Sequence, residues 1–320
     1  MNNRIRYLAP WGRAAAAARA LAPPCGGGRA AAEVLAALEG KPALYHCISR
    51  VVDHTFRLGA EEKERFVAIL RAYEEFSRVR VLTYCVMSNH FHVLVEVPER
   101  PEREPGDGEL LGWLGALYSR RQVAEVGQRL EHFRSQGNHA AAGALRGRYL
   151  RRMWDLSMFM KGVKQRFARW YNRRHKRTGC LWDERFKSVL VEEGHAARVV
   201  AGYIDLNPVR AGMVGEAWEY RWSGWGEAAA GGGKAREGIA AVMLERELAR
   251  SAPEVAVGGA ADVDKALEEY GALLRGDLAG GRARAAGEGA GGKARAAGGR
   301  PGRGGGGPAR GGGGLAEREL

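Results

Sequence analysis

The stretch Arg80 to Val97, RVLTYCVMSNHFHVLVEV, leaves this chain few choices of fold. Two runs rich in β-branched and aromatic residues read as strands over Arg80–Met87 and His90–Val97. Only Ser88 and Asn89 separate them, and that pair supplies turn chemistry, so the strands must run antiparallel. Period-2 alternation then sends Phe91, Val93, Val95 and Val97 to one face and His90 and His92 to the other.

Around this hairpin the elements alternate. Ala43–Val52 (ALYHCISRVV) reads as an earlier strand. Glu61–Val79 is an amphipathic helix, with Phe66, Ile69, Leu70, Tyr73 and Phe76 at spacings of three and four. Pro98–Gly108 is a loop, and Leu110–Leu150 is an Ala-rich helical stretch to which no chemistry attaches. Asp155–Arg177 is a long basic helix striped by Phe159, Val163, Phe167 and Trp170, ended by Thr178-Gly179. Leu181–Val191 is read as a fourth strand and Glu193–Leu206 as a short helix that Asn207-Pro208 stops. The order is strand, helix, two strands, helix, strand, helix. It predicts an α+β fold, an antiparallel sheet with helices packed on it, close to ferredoxin-like connectivity.

Apolar residues crowd between Leu44 and Trp225, enough for one core-forming domain of about 180 residues. We place that domain over 43–226, with 110–150 as a helical insertion. A flexible Ala- and Arg-rich extension over 1–42 precedes it, and a partly helical extension over 227–275 follows. The Gly/Ala/Arg-rich tail 276–320 has no aromatic residue and cannot bury enough apolar surface to offset its ordering entropy, so it is expected to be disordered. The four cysteines, Cys25, Cys47, Cys85 and Cys180, lack CxxC spacing and read as reduced thiols, three of them small core residues, in a cytoplasmic protein.

A net charge of +13 favours a polyanionic partner. No uncharged apolar run approaches the roughly 20 residues of a spanning helix, which argues against a membrane. Two pairs of residues carry candidate chemistry. His90 and His92 leave one strand face about 6.6 Å apart, a natural metal-ligand pair, although a packed or chance HxH is the commoner reading of that spacing alone. Tyr203 and Asn207 lie four apart, neighbours on one helix face, where a half-buried tyrosine and a C-capping asparagine would serve as well.

The HxH strand, the later TGCLWDERFK (Thr178–Lys187) and the final YIDLNPVRAGMV (Tyr203–Val214) together resemble the HUH single-tyrosine transposases. The similarity is to REP-associated tyrosine transposases and their insertion-sequence-200 relatives, over roughly Ala43–Trp225. The resemblance implies that His90, His92 and Asn207 ligate a divalent metal, Mg2+ or Mn2+, and that Tyr203 is the nucleophile. It also implies, more loosely, that Arg50 in the pattern YHxxxR contacts DNA. The length of 110–150 and everything after Gly226 depart from the family.

A tyrosine hydroxyl has a pKa near 10 and needs help at neutral pH, which a metal on two imidazoles and an amide would give by polarising the phosphate. The implied product is a 5′-phosphotyrosine and a free 3′-hydroxyl, so the expected activity is that of a DNA transposase, a single-strand endonuclease and strand transferase. The implied partner is hairpin-forming single-stranded DNA, with no small-molecule substrate, and a homodimer is compatible with it. Further candidate DNA contacts are Lys161, Lys164, Arg169, Arg173 and Arg174 on the basic helix, with Arg185 and Lys187 after it. Phe167, Trp170 and Tyr171 on that helix could stack on bases or simply pack, and Tyr171 is the rival nucleophile. His46, His54 and Glu96 have weaker catalytic claims. Two other classes stay open: a non-catalytic protein that only holds DNA hairpins, and a metal-dependent nuclease that forms no covalent intermediate.

Overall fold

A computed structural model describes residues 43–244 and 259–291, with side chains up to Gly276. The extension 1–42 and the tail from 292 onward lie outside the described residues. Strand β1 spans Ala43–Arg50, helix α1 Ala60–Ser77, β2 Arg80–Val86 and β3 His90–Val97. Three helices follow, α2 (Asp107–Leu114), α3 (Arg120–Ser135) and α4 (His139–Leu150), and then the long α5 (Leu156–Arg174). Strand β4 (Lys187–Val191) leads into α6 (His195–Asp205) and the single turn α7 (Asn207–Arg210). Helices α8 (Gly224–Ala229), α9 (Gly233–Met243) and α10 (Ala260–Gly291) complete the described chain.

The four strands form one antiparallel sheet in the order β2-β3-β1-β4. That order, with α1 connecting β1 to β2, is the split β-α-β arrangement expected from the sequence. Both faces of the sheet are covered. On one, Phe91, Val93 and Val95 meet Phe66, Ile69 and Leu70 of α1 and Phe159, Val163 and Phe167 of α5 in the main core. α1 and α5 also pack on each other, at Gly162, where a Cβ would lie 2.2 Å from the Tyr73 ring. On the other face α6 lies across β2, β3 and β4, and α9 packs on β2. Gly238 of α9 permits that approach, since a Cβ there would sit 2.4 Å from the Leu82 carbonyl oxygen.

Local chemistry explains where the helices start and stop. The Glu62 carboxylate accepts from Gly59 N–H at 2.9 Å ahead of α1, and Arg78 ends it at a left-handed φ of 62°. Asp155 caps α5 by accepting from Met158 N–H at 2.7 Å. Between Asp107 and Leu150 the expected helical stretch is three helices, carrying Leu110, Leu114 and Leu150 to the main core and a small cluster of their own around Leu130, Ala142 and Leu145.

Two expectations need correction. The fourth strand begins at Lys187, not Leu181. Leu181–Asp183 pairs with the end of β1 only at an isolated bridge between Val51 and Trp182, and bends at Asp183–Arg185 interrupt the ladder before Lys187. The Trp182 ring packs against Phe66, Phe91 and Phe167, with its Nε1–H on the Lys164 carbonyl at 3.0 Å. Of the cysteines, Cys47 and Cys85 are buried but Cys180 is exposed in the loop after α5. The backbone of α10 runs on to Gly291. Among the described residues no helix is long and apolar enough to cross a membrane.

Candidate active site

His90 and His92 lie on the sheet face that α6 covers, their rings 5.0 Å apart. Register decides what surrounds them. Arg50 stands opposite His90 and Ile48 opposite His92, which puts His46, two residues further along β1, on the same face. His46 Nε2 and His92 Nδ1 are hydrogen-bonded at 3.0 Å, and both side chains are buried. Asn89 in the β2–β3 turn meets His90 Nδ1 through its Oδ1 at 2.7 Å.

Helix α6 then brings Tyr203 to this cluster. Its ring packs edge-on against His92 at 5.8 Å and against His46 at 6.3 Å, centroid to centroid. The Arg210 guanidinium lies 5.2 Å from the centre of the Tyr203 ring. Asn207 donates its amide N–H groups to the carbonyls of Tyr203 at 2.8 Å and Ile204 at 3.2 Å. It therefore caps α6, and its Oδ1 is left as the acceptor end of the amide.

Burial sets the protonation of the histidines. It pushes His46 and His90 down to about 4, the latter helped by the charges of Arg50 and His54. His92 lies well below the ordinary histidine range, through burial first and then the neighbouring His46 and His90. At neutral pH all three are neutral imidazoles that keep a lone pair. With Nδ1 of His90 and of His92 engaged by a neighbour, Nε2 is the ring nitrogen each has available to a metal. Among the described residues no three His, Cys, Asp or Glu side chains converge as a metal cage. The neutral nitrogen lone pairs of His90 and His92 are of the kind that a borderline divalent ion accepts.

Beneath α6, Asp205 is fully buried and accepts from the Thr83 hydroxyl at 2.8 Å, Trp225 N–H at 3.0 Å and the Tyr270 hydroxyl at 2.7 Å. Two residues from Tyr203, it ties the helix to β2 and to α10. Burial pushes its carboxyl up to about 6 against the pull of these three donors. A raised carboxyl pKa means that this group's contribution to stability is full below its unfolded pKa of about 4 and falls as pH rises through 6. Tyr270→Phe removes a hydrogen bond to the ionised form and raises that pKa further. The variant should lose about 1.5–3 kcal/mol at pH 8, less at pH 5. Melting curves of both proteins at the two pH values test this, and equal losses at both would be the wrong result.

The remaining candidates divide between the two faces. Arg50 and Lys187 are exposed on the His90 side of the sheet, Lys187 opposite Ile48 of β1 and 3.6 Å from Glu184. Lys161, Arg169, Arg173 and Arg174 are exposed on α5, which covers the opposite face, and Arg174 is engaged by Glu61 at 3.0 Å. Arg185 is exposed in the loop before β4. Lys164 turns inward: it is 8% exposed, donates to the Glu184 carbonyl at 2.8 Å, and is lowered to about 8 by burial. Phe167 and Tyr171 are buried packing residues, and Tyr171 stacks on His175 at 4.2 Å in the core across the sheet from His92. Glu96 is buried on the histidine face and paired with Arg80 at 2.8 Å, while His54 is exposed, 3.7 Å from Asp183.

His46 is the residue that sequence reasoning undervalued. The available signal was its period-2 relation to Arg50 in YHxxxR, which puts both on one strand face. Nothing local announces Asp205 or Tyr270.

Among solved structures, a REP-associated tyrosine transposase bound to a REP hairpin aligns with 60% of this chain and 81% of its own, at 12% identity and a TM-score of 0.38. No family model and no curated protein matches the sequence.

Proposed function

We propose that this chain is a DNA strand transferase, which cleaves and rejoins single-stranded, hairpin-forming DNA through a 5′-phosphotyrosine on Tyr203. The observation that carries this reading is the meeting of Tyr203, from helix α6, with the buried neutral pair His46 and His92 on the sheet. His90, His92 and Asn207 would hold a divalent metal, Mg2+ or Mn2+, which would polarise the scissile phosphate and offset its developing charge.

The chain's own groups account for the rest. Tyr203 Oη forms the bond to phosphorus as the bond to the 3′-oxygen breaks, and the departing oxygen takes up a proton as the phenol loses one. Arg210 sets positive charge against the ring as negative charge passes through it. His46 holds the His92 ring through their shared hydrogen bond, as partners behind a ligand do elsewhere. The energy of the phosphodiester is kept in the tyrosyl ester, so another 3′-hydroxyl can reverse the step without ATP. Arg50 and Lys187 lie on the face where the strand would pass.

The test is a denaturing gel of the protein incubated with Mg2+ or Mn2+ and an end-labelled oligonucleotide carrying a hairpin and single-stranded flanks. A labelled band at protein mass that survives SDS supports the transferase. Cut DNA without such a band means a metal-dependent nuclease, and binding without cutting means a protein that only holds hairpins; either overturns the proposal.

A further inference from the structure

Residues 51–58, between β1 and α1, present an apolar side chain to water at the edge of the site. Phe56 is 84% exposed, the most exposed of the large hydrophobic residues among those described. The loop that carries it is held firmly. Val51 and Leu58 are buried at its two ends, and their N–H groups donate to Asn89 O at 2.8 Å and Ser88 O at 2.9 Å, both in the β2–β3 turn. Between them Asp53 and His54 take left-handed φ values of 58° and 54°, costly for residues with a Cβ unless the surroundings impose them. What imposes them includes the Asn89 side chain, whose Nδ2 donates to His54 O at 2.9 Å while its Oδ1 meets His90 Nδ1. One amide thus joins the Phe56 loop to a candidate metal ligand.

Cations flank the same edge. Arg57 follows Phe56, its Nε donating to Thr55 Oγ1 at 2.6 Å, and exposed Arg50 ends the strand before the loop, opposite His90. The loop's own carboxylate is Asp53, and the neighbouring Asp183 is engaged by His54. An exposed aromatic face beside guanidinium groups is the arrangement that takes an unpaired base with its backbone phosphates.

We propose that Phe56 is the stacking platform for an unpaired nucleobase in the single-stranded flank of the DNA, with Arg57 and Arg50 on the adjoining phosphates. The proposal rests on the reading that the chain takes single-stranded DNA, and it names a subsite of that substrate. Because Asn89 links the loop to His90, a base seated on Phe56 would fix the register of the strand across the site.

The experiment measures equilibrium binding in EDTA, so that no chemistry intervenes, using fluorescein-labelled hairpins with and without a single-stranded flank. Phe56→Ala and Phe56→Leu should each weaken binding of the flanked hairpin on the order of 10-fold, and Phe56→Trp should restore it. The loss should be the same at 50 and 200 mM salt, since stacking releases no counterions, and the unflanked hairpin should bind alike to all variants. Melting temperatures should not move, because the side chain is exposed.

Wild-type affinity in Phe56→Ala, rescue by Leu as complete as by Trp, or equal losses for both hairpins overturns the platform. An absent covalent adduct with the Phe56 effect intact removes the transferase reading and leaves the platform standing. Adduct formation with Phe56→Ala binding unchanged does the reverse, and no DNA binding at all removes both.

Discussion

Tyr203→Phe should bind a hairpin-forming single strand as the wild type does and form no SDS-resistant adduct. The substitution removes one oxygen and keeps the ring that packs against His46 and His92, so the local structure and DNA contacts persist. What disappears is the sole nucleophile of the proposed reaction. Deleting a nucleophile costs several orders of magnitude in rate, and a fall of at least about a thousandfold is expected, with no 3′-hydroxyl product strand released. Tyr171→Phe supplies the contrast. Tyr171 is 5% exposed in the core on the opposite face of the sheet, so its loss should spare the adduct. The same labelled-oligonucleotide gel reads both variants, and adduct formation that survives in Tyr203→Phe and vanishes in Tyr171→Phe would reverse the assignment.

Removing the metal, or either of the two imidazoles proposed to hold it, should also stop cleavage. EDTA, His90→Ala and His92→Ala are each expected to bring the rate to background while most DNA affinity stays, since phosphate contacts elsewhere supply it. The two variants should nonetheless differ in stability. His90 is partly exposed and its neighbour Asn89 keeps its bond to the His54 carbonyl, so His90→Ala should melt near the wild type. His92 is 4% exposed, and His92→Ala leaves the buried His46 without its hydrogen-bond partner. An orphaned buried polar group costs about 1–3 kcal/mol, so this variant should melt earlier. Thermal melts beside the gel separate the two effects, and undiminished cleavage in EDTA would sink the metal assignment outright.

Much of this site could be read before any coordinates. The antiparallel hairpin, the shared face of His90 and His92 and the spacing of Tyr203 and Asn207 all follow from periods of 2 and 3.6, which nearest neighbours along the chain impose. The sheet order likewise follows from the alternation of strands and helices together with a two-residue turn.

Other features were decided only by packing between distant segments. Which layer each helix joins set Tyr203 against the histidines and carried the basic helix α5 to the far face, so its cations are separated from the site by the sheet. Lys164 looked like a phosphate contact by type, and the Glu184 carbonyl 20 residues away turned it inward. His46 met His92 across 46 residues, and Tyr270 reached Asp205 across 65, through strand register and the docking of α10. Periodicity determines the face a side chain takes on its own element. The partner it finds there depends on how the layers close over buried polar groups, each of which must be satisfied somewhere in the fold, and only the tertiary structure decides where.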